Sequence, residues 1–137
     1  MVEEIVLKGR KGTGGKAEGR ALVTRKVICW YTTFDIDGNV LDRESELFGQ
    51  NISGCVLVYP AFKGSTVGSI TLYEMAMKGS APKALINTTA DSVTLSGAIL
   101  GDIPVIHQFD VDPTTVIKTG DAVSLDGKSG TVKIRRG

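Results

Sequence analysis

Short apolar runs punctuate this chain, and their period changes as it proceeds. Residues 4–8 alternate weakly between apolar and polar and predict an edge strand. Ala21-Leu22-Val23-Thr24 is β-type, and residues 27–33, β-branched and aromatic, predict a further strand. Cys55-Val56-Leu57-Val58-Tyr59 is apolar throughout, the pattern of a strand covered on both faces, and Pro60 ends it. Beyond it the period becomes helical. Val67, Ile70, Tyr73 and Met77 fall on one stripe of a helix, and Gly79 is a natural stop.

That strand–helix unit then recurs. Ala84-Leu85-Ile86-Asn87 is another apolar strand, Asp91 or Ser92 can cap a short helix running through Leu100, and Ile103-Pro104-Val105-Ile106 predicts a third short strand. Strands alternating with helices require parallel pairing with crossovers. Residues 122–125 and 131–134 bracket Asp126-Gly127-Lys128-Ser129-Gly130 and read as a hairpin, after a polar turn at Lys118-Thr119-Gly120-Asp121. The fold class is therefore α/β and β-rich, with about two main helices. With no linker and no internal repeat, residues 1–137 are expected to form a single domain.

Composition narrows the classes of function. Sixteen basic against fifteen acidic residues give a net charge of +1, which favours neither nucleic acid nor a membrane surface. Lys8, Arg10, Lys11, Lys16, Arg20, Arg25 and Lys26 cluster near the N-terminus, but Gly and Glu interrupt them, as on a solvated face. No apolar run approaches the ~20 residues of a membrane span, and the N-terminus lacks a signal-peptide core, so a soluble cytoplasmic protein is expected. The two cysteines, Cys29 and Cys55, sit in apolar runs at no zinc or cluster spacing and read as buried free thiols.

Two glycine motifs resemble ligand loops and fail on detail. Gly9-Arg10-Lys11-Gly12-Thr13-Gly14-Gly15-Lys16 lacks the spacing and the Ser or Thr of a phosphate cradle, and a β-type run follows where a helix should start. It reads as a flexible hairpin or loop. Asp35-Ile36-Asp37-Gly38 has its glycine too early for a calcium loop and reads as a tight turn.

The segment Lys63-Gly64-Ser65-Thr66 lies where the buried strand turns into the helix. Ligands of open α/β sheets gather at such strand ends, where helix amides and their dipole favour negative charge. Gly64 permits close backbone approach and Lys63 adds a cation, so the segment suits an anionic small molecule. Ser65 there is either a helix cap or a base whose alkoxide the local field stabilises. His107, the single histidine, follows a strand with Asp110 nearby, but no Gly-x-Ser-x-Gly elbow exists, and a surface or satisfied histidine is the default.

The same residues carry a family resemblance. Lys63-Gly64-Ser65-Thr66-Val67-Gly68-Ser69, preceded by Val56-Leu57-Val58-Tyr59-Pro60, resembles the small-subunit signature of the aconitase X family. So do Gly19-Arg20-Ala21-Leu22-Val23-Thr24, Ala81-Pro82-Lys83-Ala84-Leu85-Ile86-Asn87, Gly97-Ala98-Ile99-Leu100 and Thr119-Gly120-Asp121, in the same order along nearly the whole chain. Two positions depart from the family pattern: Tyr31-Thr32-Thr33 stands where members carry paired glycines, and Phe62 where they carry a small residue. Both add bulk near the expected substrate mouth.

The resemblance implies a swivelling β/β/α domain with a mixed sheet or barrel-like core, closing over the active site of a separate large subunit. It implies a hydro-lyase, with an iron–sulfur cluster, 4Fe-4S, held by the cysteines of that subunit and no metal bound by this chain. It further implies that Ser65 removes the proton next to the substrate carboxylate, framed by the substrate-binding residues Lys63, Gly64 and Thr66. The archaeal substrate would be (R)-5-phosphomevalonate, giving trans-anhydromevalonate 5-phosphate. The alternatives are a related dehydratase acting on cis-3-hydroxy-L-proline, or a swivel module that binds or regulates without chemistry.

Overall fold

The structure is a computed structural model and describes residues 3–136. Its elements in chain order are β1 (Glu3–Lys8), β2 (Arg10–Thr13), β3 (Lys16–Val23), β4 (Val56–Tyr59), α1 (Val67–Lys78), β5 (Ala84–Asn87), α2 (Ser92–Leu100), β6 (Val105–His107), α3 (Pro113–Val116), β7 (Ala122–Asp126) and β8 (Thr131–Arg136). The strands make one eight-stranded sheet in the order β1-β8-β7-β3-β4-β5-β6-β2. As the repeated strand–helix units require, β3, β4, β5 and β6 run parallel, with β4 paired to β5 from Val56–Ala84 to Tyr59–Asn87. The flanks, β1-β8-β7 and β2, pair antiparallel. β3 joins the two halves: Lys16 to Arg20 face β7, and Ala21 to Val23 face β4.

The sheet curls. β1 and β2 stand at its opposite ends, yet only Gly9 separates them in sequence, so the two edges must approach each other. Gly9 allows this closure, because a Cβ there would lie 2.8 Å from both His107 O and Ile106 Cγ2. Curling makes an inside and an outside. Alternate residues of β4 serve each: Val56 and Val58 join an inner core with Ile86, Ile106, Val123, Val132 and Ile134. Leu57 and Tyr59 join an outer core with Trp30, Leu72, Met75 and Leu85 under the helices. A continuous apolar run is thus what a strand with two covered faces needs. The mixed, barrel-like sheet with two substantial flanking helices matches the expected swivel architecture.

Four features differ from the sequence reading. The expected strand over residues 27–33 is absent; Ile28 makes one parallel bridge to Phe62, and Cys29 to Thr33 form a turn. Its apolar residues still reach the core, with Trp30 buried and donating through Nε1 to Thr94 Oγ1 at 3.1 Å. The glycine stretch is not a flexible loop, since Arg10–Thr13 pairs with β6. The short α3 was not foreseen, although Pro113 at its start and an Asp112 cap on Thr114 N–H at 3.0 Å are ordinary start signals.

The fourth is the face of α1. Gly68, Leu72 and Met75 are its buried residues, whereas Val67, Ile70, Tyr73 and Met77 are exposed, Ile70 by 58% and Met77 by 70%. Small residues decide the matter. Gly97 of α2 lies so close to α1 that a Cβ would sit 2.8 Å from Ser69 O and 3.1 Å from Leu72 Cβ. Tight backbone approach selects that side of α1 and turns the larger stripe outward. The Gly79 stop holds, in left-handed conformation at φ 83°. Among the described residues no helix is long and apolar enough to cross a membrane.

Candidate active site

The carboxyl end of β4 feeds a loop, Pro60 to Thr66, whose course is set by the irregular segment beside it. Ile28 N–H donates to Ala61 O at 3.0 Å and Lys63 N–H donates to Ile28 O at 2.9 Å, so residues 28 and 61–63 run side by side. The chain beyond Ile28 then turns back on itself. Thr33 closes the turn twice, its N–H donating to Cys29 O at 2.8 Å and its Oγ1 accepting Cys29 N–H at 2.9 Å. At the crown of that turn stands Tyr31, and its hydroxyl reaches Ser65. Ser65 N–H donates to Tyr31 Oη at 2.7 Å, and Tyr31 Oη donates to Ser65 Oγ at 3.2 Å.

Gly64 makes room for this meeting. A Cβ on it would lie 2.7 Å from Tyr31 Oη and 3.2 Å from Cys29 Sγ. Phe62 is half-buried and turned inward: its ring tip lies beneath the helix start, 2.7 Å from where a Gly68 Cβ would be. Both bulky departures reach the site: the Phe62 ring tip would lie 3.0 Å from a Gly64 Cβ, but only Tyr31 hydrogen-bonds Ser65.

Lys63, Gly64, Ser65 and Thr66 are all exposed, at the start of α1 and the end of a fully buried strand. The capping alternative finds little support. Thr66 occupies the N-cap position with helical φ and ψ, and its side chain makes no capping bond. From the helix itself Ser65 Oγ accepts only a long bond, from Val67 N–H at 3.4 Å. Its hydroxyl is therefore free to meet a ligand, with two donors aimed at its oxygen. Among the described residues Lys63 makes no ion pair, which leaves its ammonium free for an anion.

This corner is exposed along Lys63 to Thr66. A concavity of ≈ 530 Å³ is lined by Lys16, Glu18, Ser124, Asp126, Thr131 and Lys133 on the antiparallel half, and Ser65 does not line it. His107 lies elsewhere too, on β6 opposite Arg10. Burial and the Arg10 charge lower its affinity for a proton, and its Nδ1 has no hydrogen-bond partner among the described residues, so no acid orients it toward a nucleophile.

The donor set does not suit a metal cluster. Among the described residues no three His, Cys, Asp or Glu side chains converge. Cys55 is buried, and burial pushes its thiol up to about 12, which holds it protonated; Cys29 is only half-buried, contrary to the sequence reading.

Comparison with known proteins bears on the whole chain. The family model described as the aconitase X swivel domain matches residues 6–134. A Thermococcus kodakarensis protein named phosphomevalonate dehydratase small subunit is 45% identical over 129 residues, covering 93% of this chain and 95% of that one. A Methanocaldococcus jannaschii protein of the same name is 40% identical over 128 residues, covering 93% and 96%. The crystal structure of Thermococcus kodakaraensis aconitase X in its holo-form superposes with a TM-score of 0.89 at 44% identity, covering 95% of this chain and 98% of that one.

Proposed function

The chain belongs to the aconitase X swivel domain family, and from that premise we propose that it is the small subunit of a two-chain hydro-lyase acting on (R)-5-phosphomevalonate. The product is trans-anhydromevalonate 5-phosphate, and the place is an archaeal-type mevalonate route. The hydroxyproline alternative is not favoured by relatives named for phosphomevalonate. A binding module without chemistry draws no support from a site whose hydroxyl is left free.

One observation carries the reading: Ser65 presents an exposed hydroxyl, held only by long bonds from Tyr31 Oη and Val67 N–H, at the end of a buried strand and the start of a twelve-residue helix. As an alkoxide, Ser65 takes the proton from the carbon next to the substrate carboxylate. The C–H electron pair becomes the new double bond, and the hydroxyl leaves from the adjacent carbon. Donors at Oγ and the helix N-terminus favour the charged form of the serine. Lys63 and the amides from Gly64 to Thr66 hold an anionic group of the substrate.

The reading places the iron–sulfur cluster on the larger subunit, in keeping with the poor donor set here. That subunit also closes the open corner. The exposed stripe Val67, Ile70, Tyr73 and Met77 begins two residues beyond Ser65 on the same helix. A surface that must bring Ser65 to a substrate held by another chain suits an apolar stripe of this kind.

Reconstitution tests the proposal. The chain, its larger partner and their complex are each assayed with (R)-5-phosphomevalonate. Dehydration is expected from the complex alone. Turnover by either chain by itself would overturn the two-subunit reading, and a complex that dehydrates other hydroxy acids but not this one would overturn the substrate.

A further inference from the structure

We infer that Tyr31 is a positioning residue for Ser65: its hydroxyl locks the serine side chain in one rotamer and donates to the oxygen that takes the proton. The inference rests on the reading of Ser65 as the base and adds to it a residue from a distant part of the chain.

One oxygen makes both contacts. Tyr31 Oη accepts the Ser65 backbone N–H at 2.7 Å and donates to Ser65 Oγ at 3.2 Å. Serine normally samples three staggered rotamers, and rotating Oγ away from this one breaks the second bond while the first keeps the phenol in place. Accepting a hydrogen bond also polarises the phenol O–H and makes it a better donor. Among the described residues Tyr31 is the only side chain that hydrogen-bonds Ser65; the other donor at Oγ is Val67 N–H at 3.4 Å.

Both distances are long for a neutral hydroxyl, and both shorten onto an alkoxide, where hydrogen bonds are stronger and closer. Tyr31 therefore helps the charged form more than the neutral one. Among the described residues no histidine, arginine or lysine side chain hydrogen-bonds Ser65.

Two features of the backbone are matched to that hydroxyl. The turn from Cys29 to Thr33, closed by Thr33, holds Tyr31 at its crown. Gly64 lacks the Cβ that would otherwise stand 2.7 Å from Tyr31 Oη. Tyr31 is also exposed, so it does not serve mainly to fill the core.

The test is Tyr31→Phe, which keeps the ring and deletes the oxygen, beside Ser65→Ala, both in the assembled two-subunit enzyme. For Tyr31→Phe the expected result is kcat lowered about tenfold to hundredfold, the loss of a hydrogen bond to a charged group. KM should stay within about twofold, because the lost contact acts in proton transfer rather than in binding. The ascending limb of kcat against pH should move to higher pH, since a base without its donor is harder to ionise. In the isolated chain, the Ser65 amide should exchange its hydrogen faster by about tenfold or more. Parental kcat, an unmoved limb or unchanged amide exchange in Tyr31→Phe overturns the role of Tyr31, and an inactive Ser65→Ala alongside leaves the base reading standing. A fully active Ser65→Ala overturns that reading and this inference together.

Discussion

Two helices begin at the carboxyl ends of neighbouring parallel strands, and their first turns are finished in opposite ways. At α2, the Asp91 carboxylate accepts Thr94 N–H at 2.8 Å, and Thr94 is itself buried and accepts from Trp30. The end is closed. At α1, Thr66 makes no capping bond, Ser65 Oγ has only long contacts, and all four residues from Lys63 to Thr66 are exposed. The same strand–turn–helix unit thus appears once with a first-turn amide capped by a side chain and once without such a cap, although the capping Asp91 keeps an Oδ1 with no hydrogen-bond partner among the described residues. Satisfied ends contribute stability, whereas an end left open keeps its donors and its field for a ligand.

Substitutions at the two ends should therefore separate activity from stability. Ser65→Ala is expected to lower turnover of the complex about a thousandfold, the scale of general-base catalysis, while thermal unfolding of the chain hardly changes. Gly97→Val has the opposite character. It forces α1 and α2 apart at Ser69 and Leu72 and should cost about 3 kcal/mol in chemical denaturation. Asp91→Ala should cost about 1 kcal/mol by the same measurement, as for a lost cap. Thr66→Ala, the equivalent position on α1, should change stability by less than about 0.5 kcal/mol. An equal cost at both caps would erase the contrast.

A third corner sharpens it by pH. Arg136 donates to both Asp121 oxygens, from Nε at 2.9 Å and Nη2 at 2.7 Å, and Lys118 N–H adds a bond at 2.8 Å. The Arg136 hydrogen bonds are the main reason that the Asp121 carboxyl lies below its ordinary value. Its stabilising contribution is thus present above the unfolded carboxylate range and lost as pH falls through the depressed folded value. Denaturation midpoints should fall below about pH 4, and Asp121→Asn should flatten part of that fall.

Much of the frame was legible in the chain. The runs that became β4, β5 and the β7–β8 hairpin are contiguous and apolar or alternating, and local signals such as Asp91 and Gly79 marked helix ends. Tertiary packing overrode the local pattern elsewhere. Residues 27–33 have strand composition, but Trp30 and Thr33 are used to fill and close a turn instead. The α1 stripe looked like a buried face and is exposed, because Gly68 and Gly97 let the helices meet on the other side. β2 was hidden by Gly12 within it and by the glycines on either side; Gly12 packs against Leu95. The position of Lys63 to Thr66 at a strand-to-helix junction could be read from the sequence, with cap and base both open for Ser65. Tyr31 was brought near the substrate mouth only by the family resemblance, and its hydrogen bond to Ser65 was not legible, since it spans 34 positions and depends on a turn that no local motif announces.

The central claim is that the Ser65 hydroxyl removes a proton beside a carboxylate. Substrate deuterated at that carbon, incubated with the assembled enzyme in ordinary water, reports the step directly. The parent complex should release deuterium to solvent, and the Ser65→Ala complex should bind the same substrate and release it about a thousandfold more slowly. Release at the parental rate from Ser65→Ala would contradict the account.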